Sequence, residues 1–274
     1  MLKPLFRSLV LPGLCLAAIL EPARPALSHE FWIEPEKYQV NSEDSLQAGL
    51  RNGQMFQGAR LPYLDNRIRR FDTVQGADLT PYKGRMGDMP ALVAEDLQPG
   101  LFIALHETTP DLITYDNWQA FAAFAASQGY ADLAPTDPRP NTGPTEIYTR
   151  HAKLLVAVGD GAGSDQSFGL EAELVALQNP YEDLDGHDES TATIAVQLLY
   201  QGRPQPLAQV TLFERAPDDT VHSMVLQTDE TGTLRLPVRA QHRYLVNAVV
   251  LRPHADPATA QWETLWASLV FAIP

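Results

Sequence analysis

Thr193-Ile194-Ala195-Val196-Gln197-Leu198-Leu199-Tyr200, closed by Gln201-Gly202-Arg203-Pro204, is a short apolar run ended by turn residues. Such runs read as strands, because β-branched and aromatic side chains fit a pleated surface while Gly and Pro end the ladder. The pattern recurs at Ala208 to Phe213, Met224 to Thr228, Leu234 to Val238, Tyr244 to Leu251 and Leu265 to Ile273, with Asp229-Glu230-Thr231-Gly232 as another turn. Regularly spaced short strands of this kind are what a compact sandwich needs, two sheets each burying one face. Residues 189–274 are therefore expected to form a compact β-sandwich.

Upstream the strand signals continue with less regular spacing, at Phe31 to Glu34, Ser45 to Arg51, Ile68 to Val74, Ala91 to Glu95, Leu101 to His106, Glu146 to Val158 and Leu170 to Leu177. One helix is expected from Asn117 to Gln128, capped by Asp116 or Asn117 and ended by Gly129, with Trp118, Phe121, Phe124 and Ala125 forming a buried stripe. Pro135 to Pro144 reads as an exposed loop. The stretch from Gly159 to Asp165 has neither a Walker ending nor a dinucleotide fingerprint and reads as a hairpin-like connection. Tyr181 to Glu189, the most acidic segment, lacks the register of a calcium loop and reads as an inter-domain linker. The expected fold class is mainly β: two β-sandwich-like domains, 29–188 and 189–274, the first with one packed α-helix.

Residues 1–28 have the three parts of a secretory signal: basic Lys3 and Arg7, an apolar run from Leu9 to Leu20, and a polar tail with Ala26 and Ser28 before the cut. The run is shorter than the ~20 apolar residues that span a bilayer, so the mature chain, 29–274, is expected to be periplasmic with no membrane insertion. The single cysteine, Cys15, leaves with the signal, so the exported chain must hold itself together by core burial without disulfides. Losing Lys3, Arg7 and Arg24 against Glu21 takes the balance from 20 − 34 = −14 to 17 − 33 = −16. That charge argues against nucleic acid as a partner. With no Gly-x-Ser-x-Gly elbow and no thiol in the mature chain, the protein is expected not to be an enzyme.

Cleavage after Ser28 would make His29 the first residue, with its α-amine and imidazole on one residue as a bidentate ligand for a divalent transition metal. The apolar run Phe31-Trp32-Ile33 behind it would tie this terminus to a sheet. The seven histidines have no local zinc-type spacing, so further ligands must come from distant segments. His106 and His151, each in an expected strand, are the best partners. Together with the amine they would give a nitrogen set suited to copper or nickel. Glu30 is the neighbouring acidic candidate, although strand alternation sets it off the side of His29.

Several separated segments carry a family resemblance: His29-Glu30-Phe31-Trp32-Ile33-Glu34-Pro35, Tyr148-Thr149-Arg150-His151-Ala152-Lys153-Leu154-Leu155-Val156, and Trp262-Glu263-Thr264-Leu265-Trp266-Ala267-Ser268-Leu269-Val270-Phe271. They resemble exported, substrate-binding-like proteins associated with nickel and cobalt uptake and long carried as a domain of unknown function. Gly202-Arg203-Pro204, Pro206 to Val210 and Thr228 to Gly232 look like the immunoglobulin-like repeat of carboxypeptidase-regulatory or transthyretin-like modules. The resemblance implies a nickel- or cobalt-binding accessory working with membrane transporter components. Trp262, Trp266, Tyr148 and Lys153 read as framework, and Trp266, Leu269 and Phe271 as the buried face of the last strand. Where the family resemblance implies a histidine-methionine pair near the penultimate strand, this chain has Val250 and Leu251. The alternatives are a structural or adhesive β-sandwich and a copper oxidase built on a histidine brace.

Overall fold

The computed structural model describes residues 29–133, 143–182 and 192–274. The signal segment, most of the Pro135 to Pro144 loop and the linker from Asp183 onward, including the boundary expected near Glu189, lie outside the described residues. The chain runs through β1 (Glu30–Pro35), β2 (Gln39–Val40), β3 (Leu46–Gln54), β4 (Gln57–Leu61), β5 (Ile68–Gln75), β6 (Asp78–Pro81), β7 (Leu92–Ala94), β8 (Gly100–Thr108) and β9 (Asp111–Thr114). Helix α1 (Trp118–Ser127) precedes the long strand β10 (Thr145–Val158) and β11 (Ala172–Ala176). Then follow β12 (Thr193–Tyr200), β13 (Arg203–Pro204), β14 (Gln209–Arg215), β15 (Val221–Gln227), β16 (Thr233–Pro237), β17 (Arg243–Pro253) and β18 (Trp262–Ala272).

The protein is mainly β, with one α-helix among the described residues. Its strands form three sheets. The middle one has the order β15-β14-β17-β18-β10-β8-β5-β6, with β2 and β9 also paired to β10. Hydrophobic burial on both faces of this sheet builds the two main cores. On one face Leu101, Ile103, Leu105, Leu155, Leu265, Leu269 and Phe271 meet Leu174, Ile194, Val196, Leu198, Leu234 and Leu236 from the sheet of β11, β12, β13 and β16. On the other, Phe71, Phe102, Ala104, Ala152, Leu154 and Val270 meet Phe31, Ile33, Leu46, Ala48 and Leu50 from the sheet of β1, β3, β4 and β7. A third cluster on this second face lies under α1, where Phe121 and Phe124 stack on Trp262 and Trp266 at 5.3 and 5.9 Å.

The helix begins as its sequence dictates. Asn117 is extended and its side-chain oxygen accepts a hydrogen bond from the Ala120 amide at 2.9 Å, satisfying one donor left free by the first turn. Gly129, at φ +91°, ends it in the left-handed region that a residue with a Cβ enters at a cost. Phe121, Phe124 and Ala125 are buried as the spacing predicts, while Trp118 at the first turn is only half-buried.

The tertiary arrangement corrects two expectations and adds a pairing that local patterns do not give. Trp266 does not share a face with Leu269 and Phe271. Alternation sends it to the helix cluster and them to the opposite core, and the strand carries large apolar residues on both sides because both of its faces are covered. The Gly159 to Asp165 stretch is not a hairpin: it carries the chain from β10 in the middle sheet to β11 in a different sheet. And the strands on the two sides of position 189 are interleaved. β10 pairs with β18 in parallel, Glu146 opposite Trp262 through Leu154 opposite Val270, while β11 joins β12 antiparallel. Parallel pairing of such distant segments needs a long crossover, and here the intervening chain builds the third sheet on the way.

Candidate functional site

Where β1 and β3 pass over β8 and β10, the second core opens into a cleft of about 300 Å³. Its apolar walls are Phe31, Leu50, Leu61, Pro62, Leu64 and Ile68, and its polar groups include Asn52, Arg67, His106, Asp111, Tyr148 and Arg150. Strand alternation assembles it. His106 follows Phe102 and Ala104 on one side of β8, and Tyr148 and Arg150 precede Ala152 on the same side of β10.

His106 is 1% exposed, and neither ring nitrogen has a hydrogen-bond partner among the described residues. Its ring lies 5.1 Å from that of Phe31 and 5.0 Å, edge to face, from that of Phe71. Burial in this aromatic setting, reinforced by the nearby His151, pushes its pKa down to about 3, so the imidazole is neutral at physiological pH. Arg150 stacks its guanidinium over the Tyr148 ring at 4.4 Å, and its Nε is buried without an acceptor. Arg67 pairs with Asp111, which also accepts a hydrogen bond from the Tyr148 hydroxyl at 3.3 Å.

The four residues expected around a metal are not brought to one point. His29 is half-buried immediately before β1, and alternation puts it on the side of Phe31, the side that meets His106. Glu30 is on the other side of β1, as its neighbour Phe31 requires. Its Oε2 is buried without a partner, and burial raises its pKa to about 7. His151 is on the opposite face of the middle sheet from His106, in line with Lys153 and Leu155. Its Nδ1 lies 3.1 Å from the Trp266 carbonyl and its Nε2 3.8 Å from Glu107. A backbone layer separates the two histidines, so they cannot ligate one ion. No group of three or more His, Cys, Asp or Glu side chains converges among the described residues.

Sequence reading missed Arg150, Asn52, Asp111 and Ser268. Asn247 and Ser268 face each other across β17 and β18, and Asn247 Oδ1 and Ser268 Oγ are both buried without partners. The available signal was polar residues inside otherwise apolar strands, Arg150 in β10 above all. A buried polar side chain without a structural partner is uncommon enough to need an explanation.

Below the helix, Glu146 is buried between the Tyr115 hydroxyl, which donates to it at 2.7 Å, and the Thr264 hydroxyl. Burial raises its pKa above the ordinary 4.5, although the two hydroxyls partly oppose the shift. The unfolded chain therefore releases this proton at lower pH than the folded one does. The stabilising contribution is complete below pH 4.5 and is lost as pH rises through the folded value. Glu146→Gln should remove this slope. In urea unfolding from pH 4 to 8, the variant should gain on wild type as pH increases. Parallel stability curves would contradict the assignment.

The layers define a mainly β sandwich protein in which two cores share a central sheet. Residues 26–252 match the family described as a domain of unknown function, DUF4198, and the chain belongs to that family. No curated protein matches it. Solved structures similar to it include the D0–D1 domain of intimin, at 14% identity over 89% of this chain and 97% of that one, with a TM-score of 0.21. A tetra-tandem repeat from the extending region of a large adhesion protein is 9% identical over 88% of this chain and 49% of that one, with a TM-score of 0.22. A DUF3823 family protein from Bacteroides uniformis is 12% identical over 90% of this chain and all of that one, with a TM-score of 0.21.

Proposed function

We propose that this is an exported, non-enzymatic binding protein that captures a transition-metal ion, nickel or cobalt, for uptake by membrane transporter components. The ion would be held at the cleft by the α-amine and imidazole of mature His29 and by His106. The observation that carries the reading is His106: a neutral, buried imidazole with both ring nitrogens unpartnered, packed against Phe31 two residues from the new terminus. Neutral imidazole is the form that binds metal, and leaving it without a hydrogen bond in a core otherwise costs stability. Glu30 and His151, on other faces, are outside this ligand set.

His106→Phe tests the role. The ring fits the aromatic setting of Phe31 and Phe71, so the variant should fold, and nickel affinity of the mature protein should fall roughly tenfold or more, as for loss of about 1.4 kcal/mol. Unchanged affinity would remove His106 from the site.

A structural or adhesive role is the second reading. Its support is β15 at the edge of the middle sheet, paired among the described residues with β14 alone, with Met224 and Val225 exposed at 47% and 64%. An open apolar edge strand can accept another strand. Metal-independent self-association abolished by Val225→Lys would favour this reading.

A further inference from the structure

We propose that the cleft between β1, β3, β8 and β10 is a binding site for a small organic carboxylate with a compact apolar body, anchored by Arg150. This goes beyond the metal reading and does not depend on it.

The argument starts from charge pairing. In a strongly acidic chain most arginines near the sheets find carboxylates: Arg51 and Arg215 pair with Glu34, Arg69 with Glu107, Arg70 with Asp72, and Arg252 with Glu171 and Glu263. Arg150 is different. Among the described residues no carboxylate lies within ion-pair distance of it and its guanidinium makes no hydrogen bond, yet it is half-buried in the cleft. The Tyr148 ring beneath it holds the planar group in place without consuming its N–H donors. A fixed fork of unused donors matches a carboxylate, which accepts two parallel hydrogen bonds from it.

The remaining lining fits the same ligand. Both nitrogens of His106 are buried and without a partner among the described residues at the cleft wall, so the imidazole N–H can donate one hydrogen bond to an anion. Phe31, Leu50, Leu61 and Ile68 offer the apolar surface against which the rest of the molecule would be buried. A volume of about 300 Å³ is at the small end of ligand sites and holds one compact molecule. Asp111, already paired with Arg67, lies at the same cleft and disfavours a second negative charge, so a monocarboxylate fits better than a di- or triacid.

The test uses mature protein in metal-free buffer with a chelator present, so its outcome is separate from that of the metal reading. Benzoate, cyclohexanecarboxylate and hexanoate are titrated calorimetrically, with benzamide and citrate as controls. Saturable one-to-one binding of at least one monocarboxylate is expected, with benzamide and citrate weaker. Arg150→Met keeps the apolar stem and should reduce affinity roughly tenfold or more, since a charge-assisted hydrogen bond is lost, whereas Arg150→Lys should lose less. Circular dichroism and melting curves establish that both variants fold. The proposal is overturned if none of the three monocarboxylates binds the folded wild type, or if Arg150→Met binds them as tightly as wild type does.

Discussion

Mature protein whose chain begins at His29 is expected to bind nickel on the order of 100-fold more tightly than the same protein with one alanine retained ahead of His29, because two ligands on one residue act at high mutual effective concentration. The added alanine keeps the imidazole but turns the His29 amine into an amide nitrogen, and the new amine no longer shares the chelate. His29→Ala is the complementary variant: it keeps a free amine at the same place and removes the ring. Both should fold as wild type does, since Phe31, Trp32 and Ile33, not His29, fill the core at the start of β1. Affinity should rank copper above nickel above cobalt, as nitrogen-rich sites do, whichever ion is the cargo. If both variants bind as tightly as the authentic terminus, the metal reading fails, whatever His106→Phe shows. Ascorbate-dependent oxygen consumption by the copper-loaded protein would instead support the histidine-brace oxidase.

The largest expected loss of stability comes from Lys153→Met, at about 3–5 kcal/mol, the range for breaking a buried ion pair by removing one partner. Lys153 Nζ lies 2.9 Å from Glu173 and 3.0 Å from Asp165, and all three side chains are 1% exposed. The other ligands of the cluster are fixed in place: the Ser167 hydroxyl and the Phe168 and Gly169 amides donate to Glu173, and the Gln166 and Ala176 amides to Asp165. Burial already raises the Asp165 pKa, and Lys153 is the first influence that opposes it. Without the ammonium, two carboxylates remain in a site shielded from solvent, which favours protonation of at least one of them. The variant should therefore lose further stability as pH rises above the ordinary carboxylate range. Adding Asp165→Asn and Glu173→Gln should recover part of the loss, because no unpaired charge is then buried; the recovery is incomplete because Gln166 and Ala176 donate to different oxygens of Asp165 and an amide keeps only one acceptor. A single variant within about 0.5 kcal/mol of wild type in urea unfolding would show that the cluster is not what pins β11 to β10.

That cluster also illustrates what could not be read locally. Lys153 is one more residue of a strand, and its partners are 12 and 20 positions on, beyond a glycine-rich crossing that looks like a hairpin. Only the sheet-to-sheet passage brings them together. Arg150 is similar. Its placement in β10 follows from alternation, but its lack of a carboxylate depends on which strands lie over it.

The sequence alone determined the local states. Alternating apolar runs bounded by Gly, Pro and Asp make strands because side chains alternate across a pleat, and Asn117 with Gly129 delimits α1 because a helix needs a donor-satisfying start and a left-handed stop. It also set His29, just ahead of β1, two residues from Phe31 and so on the side of Phe31 by alternation. Tertiary structure decided the rest: that β10 and β18 pair in parallel, that the middle sheet is covered on both faces, and that His106 and His151 fall on opposite sides of it. The reason is that an apolar run specifies burial but not the partner that buries it. Register and pairing are settled by long-range packing, and a shift of one residue changes the face on which every side chain of a strand works.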